Sequence, residues 1–202
     1  LALLVKPLQA RQAAQREGVD WLGVALVEEG MVVRQAGVTT PTLVFGALNR
    51  EGMEAAAQND LTVPLPDVNS VQLAQAAAQL TGKPIDAHIK LDTGMNRIGA
   101  RNKEELLALL AALKQAPLVH VNGVFTHFAD ADTPAREYTD FQLARFRELL
   151  PLLPEGLLVH AAATGAALFR PDAHFDMVRV GTGLYGYPPE GSPVAFKPCI
   201  RI

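Results

Sequence analysis

The chain has 202 residues, 49% of them apolar, a formal net charge of −3 and one cysteine, Cys199. That length suits one large domain or two small ones, with enough apolar residues for a substantial core. The mild acidic balance argues against nucleic acid or a membrane surface as partner, and a lone cysteine excludes an internal disulfide framework. The apolar opening "LALLVK" is too short for a membrane span or signal segment, so the expected location is the cytoplasm.

In chain order, short β-rich apolar runs alternate with helical patterns. Strands are expected at 1–5, 21–26, 42–46, 61–65, 85–92, 121–128, 157–162 and 176–181. Helical patterns fall at 8–17, 28–36 and 50–58. A fourth opens on Asp67 as N-cap and closes on Gly82 and Pro84. A fifth opens on Asn102, with acids in its first turn, and stops before Pro117. A sixth begins at Pro134, whose ring suits a first turn, and a short one fits 164–170. Strand followed by helix, repeated around the chain, predicts an α/β fold: a parallel (β/α)8 TIM barrel over 1–188. It is short for its class and incomplete at the N-terminus, with no helix before the first strand. An open doubly wound sheet is the alternative.

In such a barrel the C-terminal strand ends carry the chemistry. Lys6, Phe45, the group Lys90, Asp92 and Arg97, then Thr126 and His127, His160 and Thr164, and finally Arg179 and Gly181 all recur at that end. Plainer readings exist. Lys6 fits a solvated strand end, His127 a satisfied core histidine, and Lys90 with Asp92 an internal ion pair. Arg179 lies between Val178 and Val180, so a buried guanidinium there is expected to meet an acid or a ligand. The Gly-rich stretch "RVGTGLYG" (179–186) can bring main-chain N–H groups to an anion. Barrels often bind phosphate after strands seven and eight, where Thr164 and Gly181 fall. The five histidines lack metal-ligand spacing, so no metal is expected, and Cys199 reads as structural. "GTGLYG" matches a dinucleotide fingerprint only superficially, because no strong helix pattern follows it.

Four segments then resemble one family in the right order. They are "HIKLDTGMNRIG" (88–99), "FTHFADAD" (125–132), "LLVHAAATGAALFRP" (157–171) and "HFDMVRVGTGLYG" (174–186), and they resemble the alanine racemases. "LALLVK" is similar to the strand whose lysine holds pyridoxal 5'-phosphate (PLP) in that family. The resemblance implies a PLP-dependent racemase that interconverts L- and D-alanine and supplies D-alanine for cell-wall peptidoglycan. By the same resemblance, Lys6 holds PLP and serves as the base on one face of the substrate. Arg97 bonds the cofactor's phenolic oxygen, His127 packs by the pyridine ring, Arg179 faces the pyridine nitrogen, and Phe45 adds a cofactor contact. Thr164, Gly181, Thr182 and Tyr185 hold the phosphate. Lys90 matches the lysine that is carbamylated in many members. A carbamate would turn it into an anion beside Arg97 and give that guanidinium a bidentate partner. A homodimer is implied, with a tyrosine of the partner's second domain as the other base.

The sequence departs from the family in three places. Lys6 runs directly into Pro7, where the family continues with a stretch like Ala-Asn-Ala-Tyr-Gly-His-Gly that includes a phosphate-binding tyrosine. Ala163-Thr164 stands where the family usually has Asn-Ser. Residues 189–202 read as a linker and the start of a β-rich second domain that is otherwise missing. The 202 residues alone are therefore expected to be weakly active or inactive. Three alternatives are a non-catalytic PLP-binding barrel that carries or regulates cofactor, a serine-preferring racemase, and a phosphate-binding isomerase or aldolase.

Overall fold

The computed structural model of the chain describes residues 2–4, 8–132 and 137–198. Lys6, Pro7, Pro134 and Cys199 lie outside the described residues. The strands are β1 (Ala2–Leu4), β2 (Trp21–Val24), β3 (Thr42–Val44), β4 (Val63–Leu65), β5 (Ile85–Lys90), β6 (Val119–Phe125), β7 (Leu158–His160) and β8 (Arg179–Val180). A helix follows each of the first seven: α1 (Leu8–Arg16), α2 (Val27–Gln35), α3 (Arg50–Gln58), α4 (Val68–Thr81), α5 (Lys103–Leu113), α6 (Glu137–Leu149) and α7 (Thr164–Phe169). After β8 comes a single 3₁₀ turn, Thr182–Tyr185.

Local chemistry sets several of these boundaries. Asp67 Oδ1 accepts the Ser70 N–H at 2.8 Å, and Ser70 Oγ accepts the Asp67 N–H at 3.2 Å, a reciprocal cap that starts α4. Gly82 ends that helix in the left-handed region at φ 69°. Asn102 caps α5 through the Glu105 N–H at 2.9 Å. Asn49 caps α3 in the same way through Gly52. Most strands are shorter than their apolar runs, losing residues at the end of the run in β2 and β3 and at its start in β4. The clearest case is β5. It ends at Lys90 because Leu91 pairs with Ala100 of its own returning loop.

All strand pairs are parallel and form two four-stranded sheets, ordered β3-β2-β1-β8 and β4-β5-β6-β7. Hydrogen bonds join their edges. Thr62 N–H donates to Thr42 O and Val44 N–H to Thr62 O, each at 2.9 Å. On the other side Asp176 N–H reaches Val159 O at 3.0 Å and Arg179 N–H reaches Ala162 O at 2.9 Å. The Arg34 guanidinium, from α2, reinforces the first junction. It donates to the carbonyls of Val38, Thr40, Asn59 and Asp60 at 2.9–3.1 Å.

The core lies between strands and helices. Leu22, Val24, Val44, Leu65 and Ile89 pack with Val33, Met53, Val71, Leu106 and Phe146, all buried. Full burial of each such side chain contributes roughly 1.5–3 kcal/mol. Inside the strands the packing turns polar, with His88, Lys90, His160 and Arg179 buried together. Among the described residues no helix is long and apolar enough to cross a membrane.

Candidate active site

The site starts at the end of β5. His88 and Lys90 are two residues apart on one strand and so share a face, and both are buried. Lys90 Nζ donates to Leu91 O at 3.1 Å and lies 5.0 Å from the centre of the Phe125 ring. The expected Lys90–Asp92 ion pair does not form, because Asp92 serves the main chain instead. Its Oδ1 accepts the N–H groups of Gly94 and Asn96 at 3.0 and 2.9 Å, and its Oδ2 accepts that of Arg97 at 2.7 Å. Burial pushes this carboxyl up, but the three N–H groups and Lys90 outweigh it and hold it below its ordinary value.

The loop after Asp92 folds back on the strand. Asp92 N–H donates to Ala100 O and Ala100 N–H to Lys90 O. Gly99 makes the return at φ 126°, where a Cβ would lie 2.7 Å from Asp92 N. Thr93 Oγ1 shares a 2.9 Å hydrogen bond with Thr126 Oγ1, which ties the loop to the end of β6. Asp92→Asn keeps one acceptor but sets an amide N–H₂ against the Arg97 N–H. The expected loss is about 1–3 kcal/mol. Amide exchange at Gly94, Asn96 and Arg97 should lose protection together. Unchanged exchange at all three would show that the carboxylate does not organise this loop.

Lys90 is left as a buried amine without an acid. Burial first, then Arg179, push it down to about 7; Asp92 opposes the shift and Arg97 adds to it. Arg97 is exposed, and among the described residues its guanidinium makes no hydrogen bond.

Arg179, on β8, meets no acid among the described residues, which leaves the ligand half of the expectation open. Its Nη2 donates to Thr126 O at 2.8 Å and to Ala161 O at 2.7 Å. Its Nη1 donates to His160 Nδ1 at 2.7 Å. Two main-chain carbonyls and an imidazole therefore hold a cation between the Phe45 and Phe125 rings. Burial lowers the guanidinium to about 9. His127 is not a core histidine. It stands half-buried in the pocket wall, and burial, followed by the charges of Arg179, Lys90 and Arg97, pushes it down to about 3.

Opposite these cations, Thr164 opens α7. Its Oγ1 accepts the Gly181 N–H at 3.0 Å and, more weakly, the Gly183 N–H at 3.4 Å. With its lone pairs engaged, the hydroxyl has its own O–H left to donate.

Phe45, Lys90, Arg97, His127, Thr164, Arg179, Gly181 and Thr182 line one pocket of about 400 Å³. Tyr185 does not line it; it packs against the core from the 3₁₀ turn. Phe125 also lines the pocket and His88 lies behind it, neither of them singled out by motif or charge, whereas His160, expected at the strand ends, sits behind Arg179 and not in the lining. Counting back by two from Lys90 finds His88 on the inward face, which is the one signal the sequence carries. Asp132 is the single carboxylate among the described lining residues, against Lys90, Arg97 and Arg179. No group of three potential metal ligands occurs among the described residues.

A parallel α/β domain with a donor-rich, cationic pocket at its strand ends is built to hold an anionic small molecule. The chain belongs to the alanine racemase family: the family model "Alanine racemase, N-terminal domain" matches residues 5–189. It is 39% identical over 201 residues to alanine racemase 1 of Bacillus subtilis (strain 168), covering 96% of this chain and 51% of that protein. Its structure is similar to that of the alanine racemase of Clostridium difficile 630, with a TM-score of 0.89 and 31% identity, covering 95% of this chain and 52% of that one. It is also similar to the histidine racemase of Leuconostoc mesenteroides subsp. sake, with a TM-score of 0.89 and 28% identity, covering 98% and 56%. The chain spans about half the length of the curated relatives it matches.

Proposed function

We propose that this chain is the cofactor-binding part of a PLP-dependent alanine racemase, with residues 1–188 forming a (β/α)8 barrel and 189–202 leading into a second domain. The carrying observation is the pocket's donor set: the Arg97 and Arg179 guanidiniums, the Lys90 amine and the Thr164 hydroxyl line one cavity. PLP presents acceptors all round, namely a phosphate, a phenolic oxygen and a pyridine nitrogen, so the residues fit the group. When bound, PLP supplies the electron sink that makes an amino acid's α-proton removable.

The chain's own residues have separate tasks in this reading. Thr164, Gly181 and Thr182 hold the phosphate, with Tyr185 packed behind their turn. Arg97 neutralises the phenolic oxygen. Arg179 donates to the ring nitrogen and, as a cation that cannot accept a proton, keeps that nitrogen unprotonated. His127 and Phe45 flank the ring. Lys6 anchors the cofactor and exchanges the proton on one face, and a homodimer partner supplies the base on the other. Lys90, lowered to about 7, is largely a free amine at mildly alkaline pH. Its nitrogen can bond to the carbon of CO₂ and release one proton, giving a carbamate anion among the pocket cations. The reaction makes D-alanine for peptidoglycan in the cytoplasm. The likeness to a histidine racemase favours a second reading, in which the same pocket serves an amino acid other than alanine.

The test is incubation of the protein with PLP, borohydride reduction and peptide mapping, alongside an L-alanine racemisation assay. A pyridoxyl group on the Lys6 peptide is expected. An adduct confined to other lysines, or none, would refute the assignment.

A further inference from the structure

Behind Arg179 runs a series of polar groups that the proposed chemistry does not use. A guanidinium can only donate, so His160 Nδ1, 2.7 Å from Nη1, is the bare nitrogen of its ring. Burial, then Arg179, His88 and Lys90, keep His160 far below its ordinary value, so the ring is neutral and carries its hydrogen on Nε2. That Nε2 is 2.9 Å from His88 Nδ1, which must therefore accept. His88 is held neutral by burial first and Arg179 second, so its hydrogen also sits on Nε2. One donor-only group thus sets two tautomers in series.

His88 is held in place on every side. Trp21 lies 5.0 Å from it ring to ring, and Phe125 meets it edge-on at 6.5 Å. Gly123 faces it across the β5–β6 pair, where a Cβ would fall 2.6 Å from His88 Cδ2 and Nε2. His88 Nε2 and Asn122 Oδ1 are both buried without a full hydrogen bond, and the Asn122 side chain partly offsets the burial that lowers His88.

We propose that His88 is a positioning residue for Arg179. Its Nδ1 fixes the His160 ring, and that ring fixes the plane of the guanidinium in the pocket wall. The carbonyls of Thr126 and Ala161 and, more weakly at 3.4 Å, His127 Nδ1 all engage Nη2, which leaves Nη1 held by His160 alone among the described residues. The Nη1 contact to His160 is the second point, and together with the covalent tether through Nε it fixes the plane. Neither the proposal nor its test depends on which ligand the pocket takes.

Histidine-labelled ¹⁵N protein tests this directly. Long-range ¹H–¹⁵N correlation should show both His88 and His160 protonated on Nε2; an Nδ1–H on either ring would overturn the proposal. Two variants separate positioning from packing. His88→Asn retains an acceptor near the place of Nδ1, whereas His88→Leu fills similar volume without one. Resolved Arg179 Nη–H resonances should persist in His88→Asn and be lost in His88→Leu. The opposite order would mean that His88 acts by bulk alone, and the proposal would fail. If His88→Leu does not fold, the tautomers of the unaltered protein decide the matter alone.

Discussion

Arg179→Leu should lose about 3 kcal/mol of stability, because hydrogen bonds from a charged donor are the strong ones and their buried acceptors are left unpaired. Three buried acceptors lose their donor at once: Thr126 O, Ala161 O and His160 Nδ1. Each orphaned acceptor costs about 1–3 kcal/mol, partly offset because a desolvated cation is also removed. Arg179→Lys keeps the charge but presents one nitrogen where the fork presents two. It leaves at least one acceptor open and should lose about 1–3 kcal/mol. Denaturant midpoints at constant slope measure both losses. The leucine variant has a second signature, because Arg179 holds Lys90 and His127 down, so both should titrate higher without it. A leucine variant as stable as the parent would show that the guanidinium is not the fastener described above.

Stability should also fall steeply as the pH drops below 6.5. His88 titrates near 4 and His127 near 3 in the folded chain, and His160 well below its ordinary value, against 6.5 for a free histidine. Between those values the unfolded chain takes up protons that the folded one refuses, so acid favours unfolding. The stabilisation is complete above 6.5 and is lost as the pH falls towards the folded values. Each histidine contributes about 1.4 kcal/mol per pH unit in that window. Lys90 has the same sign on the alkaline side. It titrates near 7 when folded and at 10.5 when free, so stability keeps rising between those values. Urea midpoints from pH 5 to 9 should climb throughout, whereas a flat profile between pH 5 and 7 would mean the imidazoles are not buried neutral.

Much of this structure was legible because its causes are local. Asp67, Gly82 and Asn102 act within one helical turn, and the expected α4 begins and ends, and α5 begins, where those residues place them. Alternation of strand and helix brought Lys90, His127, Thr164 and Arg179 to one end of the sheets. What Arg179 meets was not legible, because its acceptors are main-chain carbonyls, and every residue carries one. The pairing of His88 with His160 spans 72 residues and depends on registers that short patterns do not encode. The register of β5 on β6 also slips between Ala87 and His88: Ala87 faces Val121 but His88 faces Gly123. That bulge reverses which residues of β6 point inward, so counting by twos along "VNGVF" misplaces half of them.

The position of Arg179 also bears on the order in which the protein is made. β8 belongs to the first sheet, yet its arginine grips carbonyls at the ends of β6 and β7 in the second. A ribosome delivers residue 179 after every group it binds. A nascent chain can assemble β4 to β7 as a contiguous unit while its acceptors still face water. Until β8 arrives, the cavity lacks the arginine that completes its cationic wall. Ligand capture is therefore expected to be a late event that waits for β8 and for the Gly181–Thr182 turn behind it.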